Sequence, residues 1–211
     1  MTKKVSPGVR RGIRRGNRLA NCLGAWRKHR YTAFSLIELV LVVGIITVLT
    51  GLVLSTVGYA RKKGAMARAE AEIAAISAAC ENYKADNGVY PRDNATNQYT
   101  DTLNARQNFD ATQPAYQNAS FYLYTQLSGD SSGNRSPTAK SYMLFKPNML
   151  LPPGGSGTVT AISDPFGNSY GYSTANQADP VTPKGYNPTF DLWSTAGGTT
   201  SNDTPKWIKN W

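Results

Sequence analysis

An apolar run of 24 residues, at positions 34–57, contains a single charged side chain, Glu38. An α-helix rises about 1.5 Å per residue, so about 20 apolar residues are enough to cross the hydrocarbon core of a bilayer. The run therefore predicts a membrane-spanning helix. A carboxylate near the centre of such a helix costs about 2.5 kcal/mol or more. Glu38 lies about one turn into the run and needs a functional explanation.

Residues 1–33, which precede this run, contain ten Lys or Arg residues and no Asp or Glu. Basic flanks stay on the cytoplasmic side of a membrane, so the rest of the chain is expected on the opposite side. The whole chain has 23 basic and 13 acidic residues, and the ten basic residues of the leader account for its net charge of +10. Because the excess charge is confined to the leader, no nucleic-acid partner is expected.

This junction between leader and span has three simpler interpretations. A secretory signal peptide has an apolar core of about 7 to 15 residues followed by a small-residue cleavage site, and the run here is longer. An organelle transit peptide is Arg-rich but amphipathic, and it is not expected directly before a full-length span. An uncleaved single-pass anchor explains the span and its orientation but gives no role to Glu38.

The sequence Thr-Ala-Phe-Ser-Leu-Ile-Glu at positions 32–38 resembles the class III signal of type IV pilins and of type II secretion pseudopilins. The resemblance implies that a prepilin peptidase cuts between Ala33 and Phe34 and methylates the new N-terminus at Phe34. The family usually has Gly before the cut, where this chain has the small residue Ala33. In the family, a carboxylate at the position of Glu38 can pair with the new amine during assembly, inside a low-dielectric bundle.

Beyond the span the helical pattern continues without interruption, so one helix is predicted at positions 34–86, ended by Asn87 and Gly88. An apolar stripe with spacings of 3 and 4 is expected to pack on a globular domain. Its members are Met66, Ala69, Ile73, Ile76, Cys80 and Tyr83. Cys80 is interpreted as a small buried hydrophobe. Four charged residues are expected to lie away from the stripe: Arg68, Glu70, Glu72 and Glu81.

After this helix the sequence predicts a small α+β domain. A polar surface loop is expected at 92–120, a short helix at 121–127 and a second polar stretch at 130–140. Short strands bounded by Pro, Gly or Asn are predicted at 141–145, 158–162, 169–173 and 189–194. The fold class is a long N-terminal helix, membrane-spanning in its first half, packed on a small antiparallel sheet.

Three stretches after the helix resemble signature sequences of the major pseudopilin of type II secretion. They lie at positions 86–91, 164–170 and 190–194. The resemblance implies a pilin-like fold with a leader at 1–33 that is removed, a transmembrane and polymerisation helix at 34–57, and a periplasmic domain at 58–211 that includes the second half of the helix. Positions 92–162 match no family pattern.

The loop at positions 195–203 corresponds to the segment that binds calcium in the major pseudopilin. Calcium prefers six to eight oxygen ligands. The resemblance implies a site made by the carbonyl of Thr195 and by Ser201 and Asp203. The acidic residue that the family places near Gly198 is absent, and a solvated turn is the alternative.

The sequence favours a structural protein over an enzyme. The one histidine, His29, lies in the leader, and of the two cysteines, Cys22 and Cys80, only Cys80 follows it. The mature chain therefore has no histidine for a catalytic triad and no intramolecular disulfide. The resemblance implies a single-pass inner-membrane subunit that polymerises into a periplasmic filament. Its partners would be copies of itself, prepilin peptidase, the inner-membrane platform and minor pseudopilins.

Two alternatives to a secretion pseudopilin remain. One is a type IV pilin for adhesion, motility or DNA uptake. The other is a membrane-anchored periplasmic binding domain, with glycans as a ligand class because the chain has 12 Tyr and 4 Trp residues. An anchored binding domain would keep residues 1–33, so cleavage of the leader separates it from both kinds of pilin.

Overall fold

The computed structural model describes residues 34–93, 99–182 and 184–211. These residues fall into two compact units, divided between Val48 and Leu49. The described part of the first unit is the beginning of one helix, and the second unit holds every other element. The architecture is α+β, with a long N-terminal helix and small antiparallel sheets, as the sequence predicts.

Helix α1, Leu36–Asn87, has 52 residues and agrees with the predicted bounds to within two residues. The helix contains no proline, so every residue in it has a backbone N–H that can donate to the helix. It ends where Gly88 adopts a φ of 76°, and the Gly88 amide donates a 2.7 Å hydrogen bond to the carbonyl of Lys84. Glycine adopts this left-handed conformation at little cost in conformational energy, because it has no Cβ. The Gly88 amide then satisfies one of the last carbonyls of the helix.

The remaining elements are short. They are α2 (Pro114–Ser128), β1 (Leu150–Leu151), β2 (Ala161–Ile162), β3 (Gly171–Ser173), α3 (Ala175–Ala178), β4 (Asp191–Ser194) and β5 (Ile208–Lys209), with 3-10 helices at Pro147–Met149 and Ser201–Lys206. Strands β1 and β2 form one antiparallel pair, and β3, β4 and β5 form an antiparallel sheet with β4 in the centre.

The predicted apolar stripe of α1 packs into the main hydrophobic core. Ala69, Ile76 and Cys80 are completely buried, and Ile73 is nearly so. The two ends of the stripe, Met66 and Tyr83, are partly buried against the same cluster. The structure therefore confirms the stripe, and most of the stability of this half of the helix comes from packing.

One charged residue predicted to lie away from the stripe does not. Glu72 is only 9% exposed, so the expectation that it lies away from the buried stripe is wrong. Its carboxylate accepts hydrogen bonds from the Tyr170 hydroxyl and from Arg68, which compensate for the burial of a charge.

Helix α2 begins seven residues earlier than the sequence predicts, at Pro114. Proline is well suited to the first helical turn because its φ is already close to the helical value. Tyr116, Ala119, Leu123 and Leu127 follow at helical spacing, and all four are buried. The predicted surface loop at 92–120 is therefore wrong in its last part.

The described part of that loop is also less exposed than predicted. Leu103 and Ala105 are fully buried, and they belong to a second hydrophobic cluster with Tyr116, Trp193 and Trp207. No short sequence pattern indicates this cluster, because its members lie far apart along the chain.

The strand predicted at 141–145 is wrong. Instead of pairing in a ladder, the amides of Tyr142 and Met143 donate to the carbonyl of Leu127, at 2.7 and 3.1 Å. This segment therefore satisfies an unpaired carbonyl at the end of α2. The other three predicted strands are present in shortened form as β2, β3 and β4, whereas β1 and β5 were not predicted.

Candidate functional site

The first turn of α1 is held by Ser35. Its hydroxyl accepts a 3.3 Å hydrogen bond from the amide of Glu38, and its carbonyl accepts from the amides of Glu38 and Leu39 at 3.1 and 3.2 Å. Glu38 therefore lies in the first turn, where the positive end of the helix dipole stabilises a carboxylate. Phe34, just before this turn, is 78% exposed. Ala33, the other residue of the predicted cleavage site, lies outside the described residues.

The apolar side chains that follow are exposed on every side of the helix. Within positions 34–57, the exposure of the large apolar residues ranges from 37% at Val57 to 82% at Leu36. A helix that is apolar all round belongs in a membrane or between other helices. Exposed apolar surface on this scale marks an interaction site.

Two threonine hydroxyls inside this segment are bonded to the helix itself. The hydroxyl of Thr47 donates to the carbonyl of Val43 at 2.8 Å, and that of Thr56 donates to the carbonyl of Val53 at 2.9 Å. Such bonds matter because a lipid environment offers no water to satisfy a hydroxyl donor. Among the described residues, α1 is the one helix long and apolar enough to span a membrane, and no part of its apolar window is buried.

The predicted calcium ligands lie in one loop after β4. Thr195 is buried, and its carbonyl accepts a 2.9 Å hydrogen bond from the amide of Gly198. The carbonyl of Ser201 accepts from the hydroxyl of Thr204 at 2.8 Å. A Cβ at position 198 would lie 2.3 Å from the Cβ of Asp203. The close approach of Asp203 to the backbone therefore requires glycine at this position.

Both carboxylate oxygens of Asp203 are bonded within this loop. One accepts from the ammonium group of Lys206 at 2.9 Å. The other accepts from the hydroxyl of Thr200 at 2.8 Å and from its amide at 3.3 Å, which caps the 3-10 helix Ser201–Lys206. The hydrogen bonds from Lys206 and Thr200 lower the pKa of Asp203 to about 2. A calcium ion at this carboxylate would compete with the ammonium group of Lys206.

Acidic, histidine and cysteine side chains do not cluster elsewhere in the described ranges. No group of three or more His, Cys, Asp and Glu residues lies close enough to hold a metal ion there. The calcium site remains a prediction from the resemblance.

The signature stretch at 164–170 forms a tight turn around a buried carboxylate. Asp164 accepts hydrogen bonds from the amides of Phe166 and Asn168 at 3.0 and 2.8 Å, and from the hydroxyl of Ser194 at 2.5 Å. Burial raises the pKa of Asp164 despite these bonds. The turn is thus tied to the end of β4, which connects two of the three signature stretches.

The third stretch, at 86–91, lies close to the same core. The carbonyl of Pro91 accepts a 2.8 Å hydrogen bond from the hydroxyl of Tyr172 in β3. Tyr90 packs its ring against Phe190, with centroids 4.9 Å apart. These local turns are what the sequence predicts, but their mutual contacts depend on tertiary structure that no short pattern records.

Cys80 is a small buried hydrophobic residue, as the sequence predicts. It is fully buried, and burial raises the pKa of its thiol. A thiol that stays protonated in an apolar core is a poor nucleophile and a poor metal ligand.

The chain matches no family model, and comparisons with curated proteins and with solved structures found no match.

Proposed function

We propose that this chain is a structural subunit of a type II secretion pseudopilus, cleaved before Phe34 and polymerised through the apolar part of α1. The observation that carries the proposal is the first turn of this helix. It combines a carboxylate, Glu38, with a long apolar surface that no other described residue covers.

A simple membrane anchor needs only apolar length. In a single helix surrounded by lipid, Glu38 costs free energy and gains nothing beyond the helix dipole. In a bundle of cleaved subunits, the positive amine created at Phe34 and the carboxylate of a neighbouring subunit can neutralise each other. The pair then sets the register between subunits, because any axial shift leaves both charges unpaired in an apolar environment.

The proposed topology follows from the charge distribution. The ten basic residues of the leader keep it cytoplasmic, and the domain after the span lies in the periplasm. In this arrangement a membrane-embedded peptidase meets the cleavage site from the cytoplasmic side. An inner-membrane platform would then lift processed subunits from the bilayer into the filament.

The domain that follows the span supports a scaffold role. Two of its buried carboxylates are used internally, with Glu72 bonded to Tyr170 and Asp164 bonded to Ser194. No reaction is assigned to it, and polymerisation is the proposed activity.

Intact mass measurement on chain extracted from membranes tests the proposal. In cells with an active prepilin peptidase we expect a chain that begins at Phe34 and carries one extra methyl group. In cells without the peptidase, residues 1–33 should remain attached.

Two outcomes would separate the competing functions. A chain that keeps its leader in the presence of peptidase would support a membrane-anchored binding domain and contradict the pseudopilin proposal. A cleaved chain whose deletion abolishes motility or adhesion, but leaves protein secretion intact, would favour a type IV pilin.

A further inference from the structure

A group of basic side chains follows directly after the apolar run of α1. Arg61, Lys62 and Lys63 come four to six residues after Val57, and positions 39–69 contain no Asp or Glu. All three side chains are exposed. The positive-inside rule does not explain them, because in the proposed topology this end of the span is periplasmic.

Two of them, Lys62 and Lys63, border a groove in the second unit. The groove has a volume of about 410 Å³, and its walls include Tyr59, Met66 and Pro205 with Lys62, Lys63 and Lys206 around them. The ammonium group of Lys63 lies 5.8 Å from the centroid of the Tyr59 ring. The groove therefore combines an apolar floor with a cationic edge.

Only part of this positive charge is compensated. Lys206 pairs with Asp203 at 2.9 Å, whereas Lys62 and Lys63 lie on a segment without acidic residues. A ligand with a single negative charge and an apolar portion matches this combination. An anion alone would leave the apolar floor unused.

The position of the groove relative to the bilayer indicates what this ligand is. At about 1.5 Å per residue, Lys62 and Lys63 lie about 8 to 9 Å along the helix beyond Val57. The polar headgroup layer begins at the end of the hydrocarbon core and is about 5 to 8 Å thick on each side. Lysine side chains extend over several ångströms, and tyrosine is enriched at this interface.

We propose that this groove binds the headgroup of an anionic phospholipid in the leaflet where α1 leaves the membrane. The phosphate would lie between Lys62 and Lys63, and the upper acyl chain would contact Tyr59, which is nearer to the end of the span. Such a lipid would hold the globular domain at the membrane surface before assembly. The inference rests on the proposed span at 34–57 but not on cleavage or polymerisation.

Native mass spectrometry of the full chain in detergent micelles tests this, with phosphatidylglycerol and phosphatidylcholine as probes. Each basic residue near an anionic surface contributes about fivefold to affinity, so two lysines predict a preference for phosphatidylglycerol on the order of 30-fold at low salt. Lys62→Gln/Lys63→Gln should remove most of this preference. The matched variant Lys146→Gln/Lys209→Gln, at two other exposed lysines, should keep it.

Three results would overturn the proposal. They are equal binding of the two lipids by the wild type, an unchanged preference in Lys62→Gln/Lys63→Gln, and an equal loss in the matched variant. If glycerol phosphate binds as tightly as phosphatidylglycerol, the ligand is a soluble anion and the lipid assignment is wrong. Because the uncleaved chain can be used, failure of this test leaves the pseudopilin proposal untouched.

Discussion

The hydroxyl of Tyr170 donates a 2.8 Å hydrogen bond to the carboxylate of Glu72, a residue 98 positions earlier in the chain. This bond ties α1 to the residue that precedes β3. Arg68, one turn before Glu72 on α1, donates to the other carboxylate oxygen at 2.7 Å. Burial and the Glu72 charge together raise the pKa of the Tyr170 phenol, so its proton stays in place as a donor.

Tyr170→Phe removes this donor and leaves a largely buried carboxylate with one partner fewer. We expect a loss of about 2 kcal/mol in the free energy of unfolding, as is typical for hydrogen bonds to charged groups. Denaturant titration of the micelle-solubilised chain, followed by tryptophan fluorescence, measures it. Tyr186→Phe is the control because Tyr186 is 44% exposed, and its effect should stay within about 0.5 kcal/mol. Equal effects of the two substitutions would contradict this role of Tyr170.

Gly171→Ala tests the close packing between β3 and β4. Gly171 lies opposite Trp193 in the ladder, and a Cβ at position 171 would meet the indole ring at 2.3 Å. Because Trp193 is fully buried and has no room to retreat, we expect destabilisation of about 3 kcal/mol. Gly64→Ala, on α1 with nothing within 4 Å of the new Cβ, should be neutral or stabilising by about 1 kcal/mol. Denaturant unfolding curves of the two variants and the wild type measure these changes. If Gly171→Ala were as stable as the wild type, β3 would be able to move away from Trp193 at little cost.

The sequence predicted α1 well because a long helix repeats its pattern many times. The buried positions of Ala69, Ile73, Ile76 and Cys80 follow from spacing alone. The burial of Glu72 does not, because it depends on Tyr170, which only the folded chain brings near. A pattern of residues that are close in sequence cannot predict a contact between residues 98 positions apart.

The sheet was harder to predict for a different reason. Strands β1 and β5 have two residues each, and an alternating pattern needs more than two positions to be visible. The start of α2 was missed because its apolar face includes Tyr116 and Ala119 among polar neighbours. At the candidate site, the cap by Ser35 and the pairing of Asp203 with Lys206 are local and lie within the reach of sequence patterns. Both lie at features that the sequence singles out, although neither contact is predicted.

Asp164→Asn should change how stability depends on pH. The folded-state pKa of Asp164 is raised above 3.8, so its contribution is fully present below that unfolded value and is lost as the pH rises through the folded pKa. The wild type should therefore lose stability relative to Asp164→Asn as the pH is raised from about 3 toward neutrality. Asparagine keeps an acceptor for the two turn amides.

Asp179→Asn should change the pH dependence of stability in the opposite direction. The amides of Thr182 and Val181 lower the pKa of Asp179, so its contribution is present above the unfolded pKa and is lost as the pH falls. Unfolding free energies of the three proteins, measured across this pH range, give both slopes. A pH-independent difference between wild type and Asp164→Asn would show that Asp164 titrates as it does in the unfolded chain.

The loop at 195–203 is tested by competition between calcium and Lys206. Because the ion would have to displace the ammonium group from Asp203, Lys206→Gln should respond to calcium at a lower concentration than the wild type. The response is a rise in melting temperature beyond that of a control at equal ionic strength, with titration extended to about millimolar levels. Asp203→Asn should abolish it in both backgrounds. If neither protein responds, the loop binds no calcium and the ligand set Thr195, Ser201 and Asp203 should be abandoned.

Glu38→Ala tests the step from membrane subunit to filament. Removing the carboxylate leaves the run at 34–57 without a charge, so membrane insertion and cleavage before Phe34 should continue. Assembly should fall at least tenfold, because the Phe34 amine would enter the bundle without a partner. The measurement is the yield of sheared filaments divided by the amount of processed subunit in the membrane fraction. Glu70→Ala, an exposed acid on the same helix beyond the span, is the matched control and should assemble normally. Normal filament yield from Glu38→Ala would mean that Glu38 only benefits from the helix dipole, and loss of cleavage would mean that it is read by the peptidase instead.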